Sequence, residues 1–250
     1  MKQFFHKNEL LELISPEEMG LMYTSVQRIE VQEPISIESG EEELCILVIA
    51  GEVAYETEEI SDKASMLDML YLPIHSTICF LPGKDGVLMR YGAPCDRKTQ
   101  FGHIRFRDVD NDSRHKVYGT VAQNTRRDVW NYIDENFNSS RFLTGICRGA
   151  NGGWTAWPPH EHGKEREEVY VYFNMGNSFG AQFVYDDMNE PILAEIVQEG
   201  DFISIPHGYH PNVGCPCGGI FYAYVMVSTT ADDRNFMNLR TQKIFGDKLE

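Results

Sequence analysis

Residues 157–173 read WPPHEHGKEREEVYVYF, and this stretch decides how the chain is built. Its second half alternates. Glu168, Tyr170 and Tyr172 share one parity, while Val169, Val171 and Phe173 share the other. Successive side chains of a strand point to opposite faces, so the segment predicts a strand with two unlike sides. His160 and His162 are two residues apart, and on extended backbone they too point the same way. The stretch therefore predicts β-structure whose inward face carries imidazoles and a carboxylate. Glu167 sits beside Glu168, and the residues alone leave open which of the two joins the histidines.

Outward from this stretch the chain continues as strands. Residues 44–56, 69–81, 86–93, 141–149, 168–175, 178–186, 201–210 and 219–228 are rich in β-branched and aromatic residues, with Gly, Pro, Asn and Asp between them. That rhythm predicts a β-sandwich or barrel. Ser15-Pro16-Glu17-Glu18 is a helix start, with Ser15 as cap, Pro16 at the first helical position and Glu18 closing a capping box. Gly20 keeps that helix short. The stretch RRDVWNYIDENF (126–137) predicts a second helix, with Val129, Tyr132, Ile133 and Phe137 on one face. The two halves look like variations on one plan, which points to an internal duplication. The boundary is expected in the polar stretch 108–116, which lacks apolar periodicity, giving domains 1–112 and 113–250.

Composition narrows the function. The chain has 250 residues and a formal net charge of −16, so nucleic acid and anionic membranes are poor partners. Charges interrupt the first residues, and no stretch has the roughly 20 apolar residues of a membrane span. A cytoplasmic protein is expected, with its six cysteines as thiols. The Cys215–Cys217 pair is C-x-C, one residue short of the redox C-x-x-C, and is read as structural thiols in a turn.

A distant partner for the two histidines follows a Pro-x-Gly turn, Pro206-His207-Gly208, after which His210 ends a predicted strand. Three imidazoles and one carboxylate suit one divalent ion per chain, whether zinc, manganese, iron or nickel. Positions left open on such an ion could take substrate oxygens.

These motifs resemble those of the cupins. Gly153, His160, His162, Glu168 and Gly176 follow the first cupin motif, and Gly200, Pro206, Gly208 and His210 follow the second. Within that group, GGWTAWPPHEHG, EEVYVYF and PHGYHPNVG look like the 5-deoxy-glucuronate isomerase family of inositol catabolism. Residues 168–175, EVYVYFNM, resemble the related 5-keto-4-deoxyuronate isomerases and place the carboxylate ligand at Glu168. The resemblance is strongest over 141–228. It implies an all-β chain of two tandem cupin (double-stranded β-helix or jelly-roll) domains with a few short helices. The first would be degenerate and metal-free, with His75 as a structural or surface residue. It also implies His160, His162, Glu168 and His210 as metal ligands, with zinc or manganese first among the ions.

The implied activity is aldose–ketose isomerisation of a deoxyuronate, 5-deoxy-D-glucuronate to 5-dehydro-2-deoxy-D-gluconate. The alternative substrate is the 5-dehydro-4-deoxy-D-glucuronate of pectin breakdown. Further alternatives are a cupin dioxygenase and a non-catalytic sugar-acid-binding cupin. Isomerisation needs a base to move the proton, and His207, Tyr170, Tyr172 and Glu167 are candidates. The substrate carboxylate needs a cation, for which Arg141, Arg148, Arg127, Lys164 and Arg166 are available. Trp154 and Trp157 flank the approach to His160 and could wall the pocket. Cupins often pair sheet edges between subunits, so a homo-oligomer is expected, with a small-molecule sugar acid as the other partner.

Overall fold

The computed structural model describes residues 1–231 and 233–249. β-Structure dominates among them, and no helix is long and apolar enough to cross a membrane. Eight strands between Ser25 and Pro94 build a first sandwich. One of its sheets runs Met69–Leu72, Glu42–Ala50, Val87–Pro94, Ser25–Glu30; the other runs Ile35–Glu38, Thr77–Leu81, Glu52–Glu56, Ser61–Ser65. A second sandwich repeats the order. Phe202–Ile205, Arg166–Tyr172, Ile220–Ser228 and Phe142–Gly149 lie in one sheet, and Trp154–Thr155, Asn212–Gly214, Gly180–Val184 and Leu193–Val197 in the other. Taken in chain order these strands correspond one to one, so the internal duplication is visible as topology.

Alternation determines where each face goes. On Glu42–Ala50, Leu44, Ile46 and Val48 point into the first sandwich and join Val53, Phe80 and Leu88 there. Their neighbours Cys45, Leu47 and Ile49 belong to a larger cluster shared with the second unit. Burying each such aliphatic side chain contributes roughly 1.5–3 kcal/mol. Both faces of this strand are therefore apolar, as a strand covered on two sides requires.

The short helix Pro16–Met19 follows its sequence signal. The Glu18 carboxylate accepts from the Ser15 amide at 2.9 Å, and Gly20 closes the helix in the left-handed region at φ +75°. Residues 126–137 correct the sequence expectation. Arg127–Ile133 is a strand, paired on one side with His115–Tyr118 and on the other with Phe142–Gly149. Nearly every side chain in it is buried, so its apolar residues show no single period, and β-branched Val129 and Ile133 suit the ladder. The polar stretch 108–116 is also ordered, holding the end of the helix Phe106–Asp110 and the start of the strand His115–Tyr118. At the other end of the first sequence half, Phe4–Phe5 pairs with Phe202–Ile203 in the second unit's sheet.

Candidate metal centre

The second sandwich encloses a small polar centre among apolar walls. His160 lies in the short strand His160–Glu161, which pairs with Arg240–Thr241. His162 follows in the same loop. Glu168 is on Arg166–Tyr172, and His210 leaves the turn after Phe202–Ile205, where Gly208 adopts φ +97°. The three imidazoles converge, with possible ligand atoms all within 4.8 Å of one another. Glu168 Oε2 lies 3.1 Å from Nε2 of both His162 and His210. All four residues are buried.

Backbone carbonyls orient two of the rings. His160 Nδ1 is 3.0 Å from the Pro158 carbonyl oxygen, and His210 Nδ1 is 2.9 Å from that of Gly208. Placing the ring proton on Nδ1 directs the Nε2 lone pair inward, the usual way a second partner fixes a ligating imidazole. His162 Nδ1 is buried without a hydrogen bond, and the 3.1 Å approach of Glu168 to the buried His210 Nε2 lacks hydrogen-bond alignment, which is costly for polar atoms unless something else binds them. The donors therefore fit a borderline divalent cation.

Electrostatics follow from burial and mutual charge. Burial pushes His160 well below the usual imidazole range, and the neighbouring His210 and His162 add to this. Burial likewise lowers His162, against the pull of Glu168. Glu168 and His210 behave as a pair. Burial opposes the charged form of each, yet the charge of His210 and the charge and hydrogen bond of His162 hold the Glu168 carboxyl below its ordinary range. In turn Glu168 raises His210. A divalent cation would replace the proton that this pair retains.

A cavity of about 50 Å³ adjoins the centre. Tyr118, Arg127, Cys147, Tyr170, Tyr222 and Tyr224 form part of its wall, and Phe236, Leu239 and Leu249 close one side. Tyr170 is 2 % exposed, and its ring centroid lies 6.0 Å from that of His210. The Tyr224 hydroxyl donates to Asn131 at 2.6 Å, and a side chain at Gly145 would collide with that hydroxyl. Tyr222 and Tyr224 are absent from the sequence candidates because IFYAYVMVS reads as core strand. The signal was there in register: Met226, Tyr224 and Tyr222 lie opposite Glu168, Tyr170 and Tyr172.

The other candidates lie elsewhere. The Glu167 carboxylate accepts from the amides of Met22, Tyr23 and Thr24 at 2.6–3.0 Å, clamping the first residues to this sheet. His207 is exposed and sits 3.2 Å from Asp186. The Tyr172 hydroxyl donates to Gln182 at 2.5 Å. Arg141 ion-pairs with Asp96 and donates to the carbonyls of Pro94, Ser228 and Thr229. Arg166 pins residues 233–238 through Asp233 and the carbonyls of Asn235 and Asn238. Arg148 and Lys164 are exposed. Trp157 packs on Trp154 and Phe245 beside an outer groove. His75 is in an exposed turn, 3.7 Å from Glu41. Cys215 shares a hydrogen bond with Ser178 at 3.2 Å, and Cys217 is exposed.

The model of the KduI/IolB family matches residues 1–243. The chain belongs to the KduI/IolB family. Among curated relatives of this family member, the 5-deoxy-glucuronate isomerase of Shouchella clausii is 25% identical over 248 residues, covering 91% of this chain and 88% of its own. The 4-deoxy-L-threo-5-hexosulose-uronate ketol-isomerase 2 of Rhizobium meliloti is 23% identical over 188 residues, covering 73% of this chain and 64% of its own. Both relatives are isomerases by name, and the chain is an isomerase too. Among solved structures, an IolB-like protein from Salmonella typhimurium LT2 superposes with a TM-score of 0.82 at 21% identity, covering 98% of each chain. An oxalate decarboxylase from Lactobacillus farciminis gives 0.62 at 10% identity, covering 92% of this chain and 87% of its own. The fold is the tandem cupin arrangement expected from the sequence.

Proposed function

We propose that this KduI/IolB chain is a metal-dependent aldose–ketose isomerase of a deoxyuronate, with 5-deoxy-D-glucuronate as substrate. The observation that carries this is the buried convergence of His160, His162, His210 and Glu168 at a phenol-lined cavity in a chain of this family. His160, His162, His210 and Glu168 would hold the ion. When bound, such an ion supplies Lewis acidity to a carbonyl and its neighbouring hydroxyl. The chain's own contribution is shape and proton placement. Burial pushes Tyr170 and Tyr222 far above the usual phenol range, so both keep their protons at neutral pH and donate to substrate oxygens. Of the four base candidates, Tyr170 alone lines the cavity, whereas Glu167, His207 and Tyr172 have partners outside it. Tyr170 therefore serves as a proton donor to a substrate oxygen and not as the base that takes the proton from carbon.

We place metal binding in the second unit, residues 113–250, and none in the first, residues 1–112. A homo-oligomer formed through sheet edges completes the reading, to be checked by light scattering.

The relative from Rhizobium meliloti and the EVYVYFNM segment favour a second substrate, 4-deoxy-L-threo-5-hexosulose-uronate. One experiment separates them. Protein loaded with zinc or manganese is incubated with each acid, and isomerisation is followed by NMR. Turnover of the first acid, lost in His160→Ala, is expected. No turnover of either acid, with the variant indistinguishable from wild type, sinks the reading.

A further inference from the structure

We propose that Arg127 is the receptor for the substrate carboxylate and so sets the enzyme's preference for acids over neutral sugars. The inference rests on the sugar-acid reading above and adds a residue to it. Arg127 is 3 % exposed and lines the same cavity as His160, His162 and Glu168. No other cationic side chain among the described residues lines that cavity. Its environment differs from that of the other buried arginines. Arg90 pairs with Glu42 at 2.6 Å, Arg141 pairs with Asp96, and Arg166 has Asp233 at 3.6 Å. Arg127 has no carboxylate partner among the described residues, although a buried charge is costly unless paired. Glu168, the acid in the cavity wall, is already engaged by His162 and His210.

The guanidinium is held but not saturated. Nη1 donates to the Thr125 carbonyl at 3.0 Å, Nη2 donates to the Trp157 carbonyl at 2.6 Å, and the Tyr118 ring lies 5.3 Å from Cζ. Two of the five N–H groups of an arginine are thus used, leaving three for a planar anion. Position is fixed by the same loop that carries the metal site. The Trp157 carbonyl anchors Arg127, and the Pro158 carbonyl, one residue on, orients His160. A ligand with an anionic end and a carbonyl–hydroxyl end would have a partner for each in this one cavity, whereas a neutral sugar leaves the guanidinium uncompensated.

The probes are D-glucuronate and D-glucuronamide, which differ only at the carboxyl group. Binding to metal-loaded protein is measured by saturation-transfer NMR and calorimetry, with no turnover required. Wild type should bind the acid about tenfold or more tightly than the amide, the scale of hydrogen bonds to a charged group. Arg127→Gln should bring the acid down to the level of the amide and leave the amide unchanged. Arg127→Lys keeps the charge without the fork and should recover part of the preference. Equal wild-type binding of the two probes overturns the proposal, and that measurement needs no folded variant. An acid preference that survives in both variants overturns it too. If the preference is present and depends on Arg127 while neither deoxyuronate is isomerised, the clamp stands and the proposed reaction falls. If a deoxyuronate is isomerised and the preference ignores Arg127, the reverse holds.

Discussion

The two sandwiches share strand order and differ in what fills them. On Glu42–Ala50 the inward residues are Leu44, Ile46 and Val48, and the interior is hydrocarbon closed by Phe80 and Leu88. On the corresponding Arg166–Tyr172 the same parity carries Glu168, Tyr170 and Tyr172, and the interior holds imidazoles, phenols and amides. Alternation builds the wall in both cases. The chemistry of the inward side chains then makes one unit a core and the other a site. The polar interior survives because its groups satisfy one another: Gln182 accepts from Tyr172 and Asn212 while donating to the His210 carbonyl.

The contrast can be tested from the largest effect downward. His210→Ala should cost metal affinity more than the roughly 100-fold typical of losing an outer partner, with metal content per chain falling to background in elemental analysis. An equal metal content would contradict the assignment of the second interior as the metal site. In the first interior, Phe80→Ala should cost about 3–5 kcal/mol in denaturant unfolding and leave metal content unchanged. Loss of metal there would mean that the units are less separable than their packing implies.

Glu167 and Glu168 sharpen the comparison within one strand. Glu167→Ala strands the buried Thr24 amide and frees residues 22–24, for a loss of about 3 kcal/mol with metal retained. Glu168→Gln should do the opposite, emptying the site with little thermal destabilisation, as read by melting with and without zinc. Smallest is Ser15→Ala, which removes the exposed hydroxyl's hydrogen bond to the Glu18 carboxylate and should cost about 1 kcal/mol or less in thermal melting without touching metal or activity.

Local signals made the site legible. His160 and His162 are neighbours in sequence, and the Pro206–Gly208 turn announced His210. Glu168 needed family resemblance, because Glu167 has the same chemistry and only the fold reveals its four hydrogen bonds to residues 22–24. Arg127 was one of five cations offered for the carboxylate, and nothing in the sequence singled it out, because its anchors are backbone carbonyls that no residue pattern encodes. It also lay in a segment read as helix, since a strand buried on both faces lacks the alternation that marks strands. Phe4–Phe5 was beyond reading, as two residues carry no period.

Two short pairings close the second unit, and each spans a long stretch of chain. Phe4–Phe5 waits for Phe202–Ile203, and His160–Glu161 waits for Arg240–Thr241. During synthesis the ribosome delivers the first unit's strands in one nearly continuous run, whereas the second keeps one seam open until residue 203 and the other until residue 241 has emerged. The loop that carries His160 and His162 thus gains its strand partner only after residues 240 and 241 are made. Any metal held by these histidines would be captured only late, and a chain stalled before that point would carry its histidines without the frame that aims them.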